Sequence, residues 1–322
     1  MKETTTTQET FATADTQKNP LITIVTVCFN PIKAGRKASL CQCIESVRAQ
    51  TYPHIEHLII DGASTDGTVE LLESLGVKYI SEPDSGIYDA MNKGIRLAAG
   101  EYILFLNSDD FFHNAEGMAQ SIAALRRTGA AFSCAPAVLR NEVDGTERIL
   151  TVRLHEYLYR VPFCHQTMLC RRDVFFQEGL FDTTFKSAGD YDFAIRLLLK
   201  GYDVVELESA FVTFRTGGEA ETNIELSEYE TVGSFIKNYS PYVKKSRSFW
   251  HHCFYKNKII PRELLPFIPA WEHEKIIKHS RRQYRRECWR ALRRSIIFFR
   301  IRKEKRLRIF GIDLINRKKY KQ

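Results

Sequence analysis

The sequence predicts an α/β fold whose mostly parallel sheet is covered by helices on both faces. Three observations lead there. Short apolar runs alternate with segments of helical spacing from about residue 20 to residue 207. The first run, Leu21–Phe29, is apolar and β-branched without alternation, as a strand buried on both faces is. A later run, Tyr102–Leu106, ends in Asn107-Ser108-Asp109-Asp110, placing two carboxylates at a strand end, where such sheets bind ligands.

Residues 1–18 are Thr-rich and polar and read as a disordered leader. After the first strand, Asn30-Pro31 stops the run, and Leu40, Cys43, Ile44 and Val47 give a helix over 39–50. A strand over 55–60, the turn Asp61–Gly67, a helix over 68–75, a strand over 77–80, a helix over 87–98 and the strand before Asn107 follow in order. A helix over 116–127, a strand pair formed by 131–140 and 148–152 around Asp144-Gly145, helices over 172–177 and 190–200, and a strand over 203–207 complete the body.

With 322 residues and 44% hydrophobic content the chain can bury a full core. Its charge divides sharply. Residues 1–243 hold 22 Lys and Arg against 33 Asp and Glu, while residues 244–322 hold 25 against 6. The eight cysteines show no Cys-x-x-Cys spacing and read as free thiols of a reducing compartment. The first residues carry no apolar signal segment, and no run approaches a membrane span, so a cytoplasmic location is expected.

Asp109 and Asp110 are the chemical centre of this reading. Asp and Asn favour turns, so the pair can simply open a loop. Two hard oxygen donors at a strand end also suit Mg²⁺ or Mn²⁺ held between protein and substrate phosphates, which implies a nucleotide or another phosphorylated donor. In a parallel sheet the loops after the first and second strands open on the same edge. Asp61, at the head of the second loop, either caps its turn or accepts a hydrogen bond from a base or ribose.

Four ordered segments carry a resemblance: Ile24–Asn30, Ile59–Thr68, Glu82–Gly94 and Leu106–Asp110. Together they resemble family-2 glycosyltransferases of the GT-A fold over roughly residues 20–220. The resemblance implies transfer of a sugar from a nucleotide donor with inversion, with a UDP-sugar favoured. It assigns donor binding to Thr26, Asn30, Asp61, Glu82, Asp84, Asn92, Lys93, Asn107 and Asp109, and Mn²⁺ or Mg²⁺ to Asp109 and Asp110. Asn107 stands where many relatives have Asp; its oxygen still binds ribose or metal but brings no charge.

A second block, Phe163–Arg172 with Phe185–Phe193, resembles the acceptor side. Asp190 falls at the general base, although the usual preceding Glu is Gly189. Its other reading is the N-cap of the following helix. His165 and Gln166 are acceptor contacts on this resemblance or structural hydrogen-bonders. Arg215, where some relatives carry a metal-ligating His, neutralises the leaving diphosphate or is a surface Arg.

The implied organisation is a catalytic domain over 19–238, with a donor half to about 115 and an acceptor half to about 220, then a basic extension over 239–322. Arg281–Phe299 has the pattern of a basic amphipathic helix. Residues 281–308 would then either bind an anionic membrane surface, making the protein peripheral at the inner face, or pack on the catalytic domain. The expected partners are a nucleotide-sugar and a glycan or lipid-linked acceptor of cell-surface polysaccharide synthesis. Two rivals remain: a metal-dependent sugar nucleotidyltransferase, disfavoured because no Gly-rich phosphate loop follows the first strand, and a nucleic-acid-binding protein acting through the Arg-rich tail. The second leaves the carboxylates unexplained, so no nucleic acid is expected.

Overall fold

The computed structural model describes residues 19–157, 161–217, 223–241, 244–252, 255, 308–309 and 312–313. The leader over 1–18 and the predicted helix over 281–299 lie outside the described residues.

β1 (Ile22–Cys28), α1 (Lys37–Arg48), β2 (Ile55–Asp61), α2 (Thr68–Ser74), β3 (Lys78–Ser81), α3 (Ile87–Leu97) and β4 (Tyr102–Phe105) follow the alternation read from the sequence. β3, β2, β1 and β4 lie side by side and parallel, with Cys28 opposite Asp61 and Asp61 opposite Ser81. The unbroken apolarity of β1 has its reason in the packing. Val25 and Val27 enter one core beneath α3, and Ile22 and Ile24 enter another beneath α1 and the later α4 (Gly117–Thr128). Gly94 lets α3 seat directly on β1, for a Cβ there would lie 2.4 Å from Val25.

The predicted strand over 131–140 is two strands. β6 (Phe132–Cys134) joins the main sheet; after Ala135-Pro136 the chain leaves it, and β7 (Ala137–Arg140) pairs with β8 (Glu147–Leu150) in a second sheet. Proline cannot donate to a ladder, which marks the break. The second sheet is completed by two strands absent from the sequence reading, β5 (Phe111–Phe112) and β11 (Val212–Arg215), in the order β5-β11-β7-β8.

β9 (Leu169–Arg171) runs antiparallel between β4 and β6, and β10 (Val204–Glu206) closes the main sheet beside β6. The reversal matters for function. The beginning of β9, not its end, reaches the edge where β1 and β4 finish, and the 3₁₀ turn His165–Thr167 arrives there with it. α5 (Arg172–Glu178) and α6 (Gly189–Leu199) follow, and α7 (Ile224–Tyr239) and α8 (Arg247–His251) pack outside them. Among the described residues no helix is long and apolar enough to cross a membrane. The six described cysteines are free thiols.

Candidate active site

The strand-end loops meet through specific bonds. Asn30, held at φ 48°, accepts from the Thr65 N–H at 2.9 Å through Oδ1, while its own N–H donates to Ser64 Oγ at 2.7 Å. The Lys33 N–H donates to Asp66 at 2.7 Å, locking the first loop to the second. Gly62 lies against the third loop: a Cβ there would sit 2.6 Å from Asp84 Oδ2 and 3.2 Å from the Phe29 ring. The Arg36 guanidinium bonds Asp109 and so ties the first loop to the fourth.

Within this crevice the predicted residues take different roles. Asp61 is fully buried and organises the turn, accepting from the Ser64 N–H at 2.9 Å and from Ser81 Oγ at 2.6 Å. Thr26 is likewise fully buried inside β1, its hydroxyl 3.0 Å from His57 Nε2, so it offers no surface to a ligand. Burial holds the His57 pKa down at about 4. Asn92 also faces inward: its Nδ2 donates to the Phe181 carbonyl and its Oδ1 accepts from the Phe181 N–H, both at 2.9 Å. Thr26 and Asn92 are therefore core residues here, because both ends of their polar groups are engaged within the protein.

Glu82 and Lys93 pair at 3.0 Å on the surface, and Lys93 also donates to the Pro83 carbonyl. Asp84 caps the next turn, accepting from the Gly86 N–H at 2.9 Å. Phe29, 66% exposed where β1 ends, escaped the residue-level reading. Its signal was available, for it follows a wholly buried strand and precedes the Asn30-Pro31 stop.

The acidic motif separates into outward and inward members. Asp110 is fully buried, accepting from the Arg215 N–H at 2.9 Å and from Gln166 Nε2 at 2.8 Å. Burial, reinforced by the neighbouring Asp109 charge, raises its pKa to about 7. Asp109 keeps a partly exposed carboxylate, and Asn107 Oδ1 is buried with no hydrogen-bond partner among the described residues. Asp109 and Asn107 could hold a metal, whereas each oxygen of the fully buried Asp110 already accepts a hydrogen bond from the protein. Two oxygen donors of this kind fit a hard cation that takes its remaining ligands from phosphate and water. Among the described residues no three His, Cys, Asp or Glu side chains gather in a closed metal cage.

Arg215 is buried, not a surface Arg. Its guanidinium bonds the Asp109 carbonyl and Gln42, pairs with Glu142 at 3.2 Å, and lies over the Phe111 ring. It braces the acidic motif from behind rather than presenting charge to the crevice.

Across the crevice, Asp190 sits in the first turn of α6 but does not cap it: the helix begins at Gly189 with no side-chain cap. Its Oδ2 lies 3.0 Å from His165 Nδ1, and its Oδ1 accepts from the Tyr88 hydroxyl at 3.0 Å. Burial works to raise the Asp190 pKa, yet His165 and Tyr88 together hold it below the ordinary carboxylate value. Gly189 permits this arrangement, because a Cβ there would press 2.9 Å against the Tyr88 ring. The glycine in place of the usual Glu is thus a packing requirement. His165 Nε2 is buried without a partner among the described residues, and the adjoining Gln166, only 1% exposed, serves Asp110 instead of facing an acceptor. One short 3₁₀ turn therefore fastens Asp190 to the acidic motif.

Asp190 and His165 line a cavity of about 760 Å³ whose wall includes Arg148, Arg153, Val161 and Phe214. A carboxylate fixed beside such a cavity can take a proton from a bound hydroxyl, and the Asn107–Asp109 side can hold the cation and phosphates of a donor.

Comparison with known proteins gives this site its context. Residues 23–185 match the sequence profile of Glycosyl transferase family 2. The chain is 30% identical over 238 residues to an uncharacterised glycosyltransferase of Mycobacterium tuberculosis, covering 68% of this chain and 86% of that one. It is 30% identical over 166 residues to a PGL/p-HBAD biosynthesis glycosyltransferase of Mycobacterium bovis, covering 49% of this chain and 64% of that one. Among solved structures, the mannosyltransferase PcManGT of Pyrobaculum calidifontis, in complex with GDP-Man and Mn²⁺, superposes with a TM-score of 0.56 at 16% identity, over 81% of this chain and 74% of that one.

Proposed function

The chain belongs to glycosyl transferase family 2, and from that premise we propose that it moves a sugar with inversion from a nucleoside diphosphate donor, UDP-linked by preference, to a hydroxyl of a cell-surface glycan or lipid-linked acceptor. The observation that carries the reading is the pairing of Asp190 with His165 and Tyr88, joined to the Asn107–Asp110 motif through the bond of Gln166 to Asp110.

In this reading the donor lies over the strand ends, its base against the exposed Phe29 ring and its diphosphate toward Asp109. Asn107 and Asp109 would hold Mn²⁺ or Mg²⁺, which when bound supplies charge neutralisation of the leaving nucleoside diphosphate. The mannosyltransferase bound to GDP-Man and Mn²⁺ has the same fold, which supports the donor class. Asp190 accepts the proton of the acceptor hydroxyl as its oxygen attacks the anomeric carbon; His165 and Tyr88 fix the carboxylate's direction. No covalent intermediate is needed.

One observation favours a second assignment of the base. With Nδ1 on Asp190 and Nε2 unpaired, His165 is placed to receive the proton itself while Asp190 orients the ring.

The acceptor enters the 760 Å³ cavity. Its arginines and apolar wall suit a saccharide joined to an apolar chain through an anionic group. Work on such an acceptor would place the protein at the inner membrane face, with residues 281–308 as its contact.

Calorimetric titration with UDP, GDP and dTDP, each with Mn²⁺ and with chelator, tests the donor assignment. Metal-dependent binding of one nucleotide is expected. Binding of none, beside salt-sensitive binding of RNA or DNA, would overturn it in favour of a nucleic-acid role.

A further inference from the structure

Building on that donor site, we infer that Arg36 is a diphosphate-binding residue that the ligand-free protein stores on the metal-ligand carboxylate Asp109, so that cation and nucleotide enter together. Arg36 stands immediately before α1, at the end of a loop made rigid by its own bonds: Ala34 N–H to the Asn30 carbonyl at 3.1 Å, Gly35 N–H to the Ile32 carbonyl at 3.0 Å, and Arg36 N–H to the Pro31 carbonyl at 2.7 Å. Its guanidinium takes Asp109 Oδ2 through Nη1 and the Gly217 carbonyl through Nη2, the latter at 2.6 Å. It thereby bridges the donor-side loop and the end of β11.

Two other cations of the motifs, Arg215 and Lys93, are committed elsewhere. Arg215 is spent on Gln42, Glu142 and the Asp109 carbonyl, and Lys93 on Glu82 and Pro83. Arg36 is different: its partner is a carboxylate that the chemistry requires for something else, and its side chain is 39% exposed against 17% for Asp109. A divalent cation ligated by Asp109 would stand beside this guanidinium, and like charges at such range repel. A diphosphate removes the conflict. It offers the guanidinium a bidentate partner and gives the cation its remaining oxygens. Free cation must therefore compete with Arg36, whereas cation with nucleotide recruits it, and the Gly217 carbonyl is released in the exchange.

The test is Mn²⁺ titration of the full chain, read by the electron paramagnetic resonance of free Mn²⁺, with and without UDP, GDP or dTDP. The proteins compared are wild type, R36M and R36K. Without nucleotide, R36M is expected to bind Mn²⁺ about five- to tenfold more tightly than wild type. With nucleotide, R36M is expected to lose about tenfold or more in nucleotide affinity, so the mutual enhancement of metal and nucleotide shrinks. R36K, which keeps the charge but not the fork, should still resist free Mn²⁺ yet bind nucleotide less well. If wild type binds nucleotide with Mn²⁺ and both titrations of R36M coincide with it, the role of Arg36 is overturned while the donor site stands. If no protein binds any nucleotide, the donor site and Arg36's role fall together.

Discussion

At the scale of single residues, two carboxylates are pushed in opposite directions by their surroundings. Asp190 is held low by His165 and Tyr88 against the effect of burial, so it is ionised where it lines the 760 Å³ cavity. Asp190→Asn is expected to leave nucleotide affinity within about twofold while lowering transfer by roughly 10²–10⁴, measured as sugar transfer against a nucleotide titration. If His165 is the proton acceptor, His165→Gln will lower transfer as much as Asp190→Asn does, whereas with Asp190 as base it will cost less. Asp110 lies on the other side of the balance, its pKa raised to about 7 by burial and then by Asp109. A raised folded-state value means that the native protein binds more protons than the unfolded chain between about pH 4 and 7. The stability it contributes is present below that window and is lost as pH rises through about 7. Asp110→Asn should flatten this part of the stability curve of the metal-free protein, as thermal melts at pH 5 and pH 8 would register. An unchanged slope would assign the dependence to another group.

At the scale of elements, what the sequence makes legible is periodicity. β1 to β4 and the helices between them lie within about two residues of their expected bounds, since buried strands and amphipathic helices write their packing into residue spacing. The shortest strands write little. β5, of two residues, and β11, of four, are fixed by pairing partners distant in sequence, and the expected strand over 131–140 divides between two sheets at Pro136. Asn92 shows the same limit in a helix. Its place within a donor-like motif suggested a ligand contact, but α3 turns it inward as a clamp on Phe181. Asn92→Ala would leave a buried N–H and C=O of Phe181 unpaired and is expected to cost about 2–4 kcal/mol, read as a lower melting temperature. Nucleotide affinity of the folded protein should stay unchanged; a donor contact would move affinity more than stability.

At the scale of the whole molecule, Asp190, the proposed base, is carried by a contact between distant helices. Glu230 of α7, only 8% exposed, accepts backbone N–H bonds from Lys186, Ser187 and Ala188 at 2.6 to 3.2 Å, holding the segment that leads into Asp190. Nearby, Asp192 is buried and bonded to Arg196, Lys237 and Asn238, fastening α6 to α7. Its place in this network explains why it takes no part at the cavity. Glu230→Gln keeps one acceptor oxygen and is expected to lower transfer about tenfold, with a stability loss of about 1–2 kcal/mol and little change in nucleotide affinity. Equal loss of nucleotide affinity would mean that α7 supports the entire crevice and not the base alone.

The sequence by itself determined the fold class and the family, because strand-end motifs and helical periodicity are local properties of the chain. It also put forward Asp109 and Asp190 as candidates, since their neighbours in sequence carry the resemblance. Only the tertiary structure decided which oxygens are free. Asp61, Asp110, Asn92 and Thr26 are consumed by buried bonds, whereas Asn107 Oδ1 and His165 Nε2 are left without partners among the described residues. Hydrogen-bond capacity is divided among groups that sequence separates by more than a hundred residues, as in Tyr88 with Asp190 and Asp110 with Arg215. No local pattern can record that division, because a polar side chain's availability depends on what folding brings against it.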